Sequence, residues 1–114
     1  MTTALLTDRY ELTMVQAALR SGKSERKTVF EVFTRNLPAG RRYGVVAGVG
    51  RLLSAIEDFK FEEPEIEFLL SDGIVDAETA EWLKVFRFSG SIHGYREGEL
   101  FFANSPVLTV ELTF

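Results

Sequence analysis

Tyr10 follows Asp8 by two residues within Leu5-Leu6-Thr7-Asp8-Arg9-Tyr10-Glu11-Leu12-Thr13-Met14. Its flat ring can stack on an aromatic ligand while its hydroxyl stays in water. Stacking of that kind is worth on the order of 1 kcal/mol beyond area burial, which orients a ligand without catalysing anything. Spacing alone favours interface packing for the same ring. Arg35, Arg41 and Arg42 flank the Leu37-Pro38 turn and can grip a carboxylate or phosphate through paired N–H groups. A solvated loop paired with nearby acids is the plainer reading. Gly48-Val49-Gly50 opens a helix after a short strand, a setting that favours anions. Leu53 replaces the third glycine of a dinucleotide fingerprint, however, and no phosphate-loop lysine follows. Close packing of the Gly44, Gly48 and Gly50 backbone on a neighbouring element is therefore expected. His93 lies in an alternating strand without a partner motif and reads as structural or exposed. Trp82 reads as packing, and Glu62, Glu63, Glu65 and Glu67 as the wet face of a helix.

Composition narrows the chemistry further. The chain of 114 residues has no cysteine and one histidine, which excludes disulfides and thiolate chemistry and disfavours a histidine-rich metal site or an internal Ser-His-Asp triad. No metal-binding residue is expected in this chain. Thirteen Lys and Arg against seventeen Asp and Glu give a net charge of -4, which argues against affinity for DNA or RNA. No apolar run approaches the ~20 residues of a membrane span. The first residues lack a basic start followed by a long apolar run, so no secretory signal and a cytosolic location are expected. Ten phenylalanines are many for a domain of this size to bury, and some are expected to face another subunit or a missing part of the polypeptide.

The elements that must position these residues follow from periodicity and punctuation. A first helix is expected from near Asp8, with an Asp8/Glu11 capping box and a stop at Ser21-Gly22. Leu12, Val15 and Leu19 form its apolar stripe, and Arg9, Thr13, Gln16 and Arg20 its wet face. Tyr10, Met14 and Ala17 lie on another side, so Tyr10 requires a second surface or a ligand. Residues 28–33 read as a strand. A helix from about Val49 to Asp58 should turn Leu52, Leu53 and Ile56 inward. Pro64 begins a third helix carrying Ile66, Leu69 and Leu70, which stops at Gly73. Asp76 caps a fourth, from Ala77 to about Phe86. Residues 91–95, 100–102 and 107–112 read as short strands, with the last running on to Thr113-Phe114. The fold class is α+β, one unit of helices packed on a mainly antiparallel sheet. The ending without a polar tail reads as that of a fragment.

The opening motif closely resembles that of nicotinate phosphoribosyltransferases. Phe30-Glu31-Val32-Phe33, Arg35-Asn36-Leu37-Pro38, Tyr43-Gly44-Val45-Val46-Ala47-Gly48, Phe86-Arg87-Phe88-Ser89-Gly90, Glu97-Gly98 and Pro106-Val107-Leu108 fit the family pattern in the same order. Leu112 departs from it, standing where a small residue is expected. The resemblance implies residues 1–114 as a single N-terminal domain of a larger type II phosphoribosyltransferase, with the barrel domain absent. The complete enzyme would join nicotinate to phosphoribosyl pyrophosphate in NAD salvage, releasing nicotinate mononucleotide and pyrophosphate. ATP, with Mg2+, would be its cofactor and none would bind to this stretch. The resemblance further implies a head-to-tail homodimer, in which Tyr10 stacks on nicotinate in the partner's active site and Asp8 steadies it. A non-catalytic dimerisation module, or a relative acting on quinolinate or nicotinamide, are the alternatives.

Overall fold

A computed structural model describes residues 2–113, so the expected run of the last strand to Phe114 lies outside the described residues. The elements in chain order are α1 (Arg9–Arg20), β1 (Lys27–Val32), β2 (Gly44–Val45), α2 (Val49–Glu57), α3 (Glu63–Ser71), α4 (Ala77–Val85), β3 (Ser91–Gly94), β4 (Leu100–Phe101) and β5 (Leu108–Thr113). They divide into two compact units, one helical and one mainly of strands, between which the chain passes after Arg26, inside α2 after Ser54, and after Phe88.

The helical unit contains residues 2–26 and Ala55–Phe88. Its core joins Leu12 of α1 and Ala4 before it to Phe61, Ile66 and Leu69, and then to Ile74, Val75, Ala80 and Leu83. Ile66, Leu69 and Ala80 are fully buried at 0% exposure. Leu69 and Ile66 stand three apart on α3 and therefore share a face, whereas Leu70 turns outward and stays 41% exposed, against expectation. Phe59, Phe61, Trp82 and Phe86 form an aromatic group at one side of this core, with ring centroids 5.2 to 6.1 Å apart.

Asp76 does the joining at the start of α4. Its carboxylate accepts from the Thr79 N–H at 2.8 Å, the expected cap. It also accepts from the Arg20 guanidinium at 2.7 and 3.1 Å, while its own N–H donates to Gln16 Oε1 at 2.6 Å. Gln16 and Arg20 were expected on the wet face of α1; instead they fasten α1 to the head of α4. Thr79, through its hydroxyl and its N–H, and then Arg20 hold the Asp76 carboxyl at about 2, against the opposing effect of partial burial. A carboxylate depressed in the folded state stabilises that state above the unfolded value near 3.8, and the contribution is lost as pH falls towards 2. Asp76→Asn should therefore lower the melting temperature at pH 7 and flatten its fall between about pH 4 and pH 2. Thermal melts across that range check this; an unchanged acid limb would remove Asp76 as its source.

Glu63 and Glu67 are exposed on α3 as expected, whereas Glu65 is half-buried and engaged. Glu65 accepts from the Thr2 hydroxyl at 2.9 Å and from the Glu62 N–H at 3.1 Å, closing the first turn. The Thr2 bond is the main reason its pKa lies below the ordinary value. Glu63 faces Lys84 at 3.8 Å, and Lys84 also pairs with Glu81.

The second unit contains Lys27–Ser54 and Ser89–Thr113. All its pairings are antiparallel: a three-stranded sheet in the order β1-β5-β3 and a two-stranded one, β2-β4. The register sets Phe30 and Ile92 on either side of Val110, and Val32 and Gly94 on either side of Leu108. Residues directly opposite share a face, so this face is apolar. Leu108 is buried, yet Phe30 and Val32 stay 52% and 48% exposed. Exposed Phe30, Phe33, Phe68 and Phe102 bear out the expectation that not every phenylalanine is covered.

Of Gly44, Gly48 and Gly50, only Gly44 packs as expected: a side chain there would run into the Phe101 ring directly across the ladder. Gly48 and Gly50 face open space instead, and Gly48 is required for its φ of 91°, a backbone shape that L side chains rarely adopt. α2 departs most from expectation. It buries no residue, and Leu52 and Leu53 remain 40% and 41% exposed.

Candidate functional site

Asp8 and Tyr10 stand at the head of α1. Asp8 occupies the N-cap position with extended backbone, but its side chain makes no capping bond. The Glu11 N–H is taken by the Asp8 backbone carbonyl at 3.1 Å instead. The expected capping box is thus absent, and the Asp8 carboxylate is uncommitted beside Tyr10. Tyr10 is 57% exposed, on the side of α1 that also carries exposed Met14 and Ala17, away from buried Leu12 and Ala18. Its separation from the packing stripe, expected from the helical wheel, is confirmed. Hydrogen bonding to Glu11 and that carboxylate's charge raise the phenol above its ordinary value. The arrangement is a flat aromatic face with a carboxylate nearby, suited to gripping a ring and unsuited to bond-making.

The remaining candidates separate clearly. The α2 N-terminus already holds an anion, supplied by the chain: Glu97 accepts from the N–H groups of Gly48 at 2.6 Å and Val49 at 2.9 Å. These are donors that a bound phosphate would need. Sequence reasoning took Glu97-Gly98 only as a turn and a family match, because no local signal links residues 48 and 97. His93 is exposed on β3, opposite Thr109. Trp82 packs against the helical core, as expected. Arg35, Arg41 and Arg42 are exposed, and none forms an ion pair among the described residues, so the expected pairing with nearby acids is not found. No group of three or more His, Cys, Asp or Glu that could hold a metal occurs among the described residues.

Comparison with known proteins places this geometry. The profile of the family described as nicotinate phosphoribosyltransferase (NAPRTase) N-terminal domain matches residues 5–113. The chain belongs to this family. It is 56% identical over 110 residues to nicotinate phosphoribosyltransferase pncB1 of Mycobacterium tuberculosis, covering 96% of this chain and 24% of that protein. It is 35% identical to nicotinate phosphoribosyltransferase of Bacillus subtilis, covering 95% and 22% respectively. The crystal structure of human nicotinic acid phosphoribosyltransferase superposes with a TM-score of 0.82 at 27% identity, over 94% of this chain and 22% of that one. The chain therefore spans about a quarter of the length of such relatives. The α+β class expected for a nicotinate phosphoribosyltransferase N-terminal domain, with helices, antiparallel sheets and, among the described residues, no barrel, agrees with that likeness.

Proposed function

We propose that this chain is a single N-terminal domain of a cytoplasmic enzyme that joins nicotinate to phosphoribosyl pyrophosphate, forming nicotinate mononucleotide and pyrophosphate. In this reading ATP hydrolysis, with Mg2+, drives turnover in the complete enzyme as a step of NAD salvage. This domain contributes binding and no catalytic group. Tyr10 stacks on the nicotinate ring and Asp8 steadies the pocket, with the domain of one subunit covering the active site of another in a head-to-tail homodimer.

The observation that carries the reading is the exposed Tyr10 ring beside a carboxylate freed from capping. A residue of that size, left 57% exposed on a helix whose opposite face is in the core, is available to a ligand. The half-exposed Phe30 and Val32 support a covering surface in the assembled enzyme. No helix among the described residues is long and apolar enough to cross a membrane, which accords with the proposed location.

The test is the complete protein incubated with phosphoribosyl pyrophosphate, ATP and, in turn, nicotinate, nicotinamide and quinolinate. Nicotinate mononucleotide should form with nicotinate alone, and the 114-residue chain by itself should release no pyrophosphate. Turnover with only nicotinamide or quinolinate, or dimerisation with no turnover at all, would replace the reading.

A further inference from the structure

The first turn of α1 has little support of its own. Asp8 makes no side-chain cap, and the Glu11 N–H is met by the Asp8 backbone carbonyl. Helix ends without a cap fray, and Tyr10 lies in that turn, 57% exposed and outside the core. The first buried residue of the helix is Leu12. Order in the turn must therefore come from outside the helix, and the residues before Asp8 are where the structure supplies it.

Residues 2–6 are fastened to the helical core at several points. Ala4 is 3% exposed and belongs to the same buried cluster as Leu12, Ile66 and Leu69, with Leu5 packed against it. A buried alanine removes little apolar area from water, so polar bonds carry more of the attachment. The Thr2 hydroxyl donates to Glu65 Oε1 at 2.9 Å, and the Ala4 N–H reaches back to that hydroxyl oxygen at 3.4 Å. The Leu6 N–H closes the following turn on the Thr3 carbonyl at 3.0 Å. Glu65 Oε2 accepts from the Glu62 N–H at 3.1 Å, so the carboxylate is held at both oxygens. A bond to an ionised acceptor is roughly twice as strong as one between neutral groups. The next residue on α3, Ile66, is fully buried, which makes the anchor rigid.

We propose that Thr2 and Glu65 form a strap that positions Tyr10, keeping the first turn of α1 wound so that the ring is presented to its ligand. This role rests on the nicotinate reading of Tyr10 and adds two positioning residues to it. All the residues involved belong to the helical unit. A ligand that binds only the wound form has its apparent affinity reduced in proportion to the wound fraction. Releasing the strap therefore raises KM, while saturating substrate restores the wound form and leaves kcat in place.

The test uses the complete protein. Thr2→Val removes the hydroxyl and keeps the branched shape, whereas Thr2→Ser keeps the hydroxyl. Amide hydrogen exchange across residues 5–12 should run about threefold faster in Thr2→Val than in the parent or Thr2→Ser. Exchange across α4 should not change and will report an intact fold. The nicotinate KM should rise about threefold in Thr2→Val, with kcat nearly unchanged and Thr2→Ser close to the parent. Added to Tyr10→Ala, Thr2→Val should move KM no further, because a strap acting through the ring has nothing left to position. Unchanged exchange in Thr2→Val, equal loosening in Thr2→Ser, or a KM shift that persists in the Tyr10→Ala background would each overturn the strap. An effect of Tyr10→Ala alongside an unchanged KM in Thr2→Val overturns the strap alone. Faster exchange in Thr2→Val with no effect of Tyr10→Ala on KM overturns the nicotinate reading of Tyr10, and the positioning role with it.

Discussion

Leu69→Ala is expected to cost about 3–5 kcal/mol, whereas Leu70→Ala, one residue along the same helix, should cost less than about 1 kcal/mol. Both residues carry the same side chain on α3, and both look apolar enough to be core. Leu69 is fully buried among Leu12, Ile66, Ala80 and Leu83, while Leu70 keeps 41% of its surface in water. Removing Leu69 therefore forfeits transfer free energy and leaves a cavity whose walls are held by the caps of α3 and α4. Against a total stability of about 5–15 kcal/mol for a domain of ordinary size, the loss is a large fraction. Trp82 packs on this core, so its fluorescence in a urea titration reads the change directly. Equal costs at the two positions would show that α3 presents a different face to the core.

The second large effect concerns recognition. In the complete enzyme, Tyr10→Ala should raise the nicotinate KM about tenfold and change kcat much less. Loss of a stacked ring removes about 0.5–1.5 kcal/mol beyond its area burial, and 1.4 kcal/mol corresponds to a factor of ten in affinity. Tyr10→Phe keeps the ring and should stay within about twofold of the parent, since the proposed contact uses the π face. The substitution should leave stability nearly untouched, because Tyr10 is exposed and outside the helical core. An unchanged KM in Tyr10→Ala removes Tyr10 from the nicotinate site. A fall in kcat with KM unchanged would instead assign it to the chemical step.

Comparison of particular elements shows where sequence reasoning succeeds. Asp76 caps α4 through Thr79, and α1 ends at Ser21, because such signals act over three or four residues and are written next to one another. Tyr10 sits off the Leu12 stripe for the same reason: helical geometry follows from spacing. Asp8 shows the limit of this logic. An aspartate at an N-cap position with a glutamate three residues later satisfies the local rule, yet its carboxylate makes no capping bond. α2 shows another limit, since an amphipathic pattern states which face is apolar and not what covers it.

The family, the number and order of the main helices, and the chemical character of the opening motif were thus determined by the sequence alone. Tertiary structure decided that Arg20 and Gln16 meet Asp76 some 56 and 60 residues away, and that Glu97 occupies the α2 N-terminus from 49 residues beyond Gly48. Among the described residues it also left Arg41 and Arg42 without ion-pair partners. The physical reason is that periodicity and capping depend on near neighbours, whereas the partner of a charged or polar group is whichever one the folded chain carries within reach. At these separations that choice is made by packing and strand register, and it leaves no local mark in the order of residues.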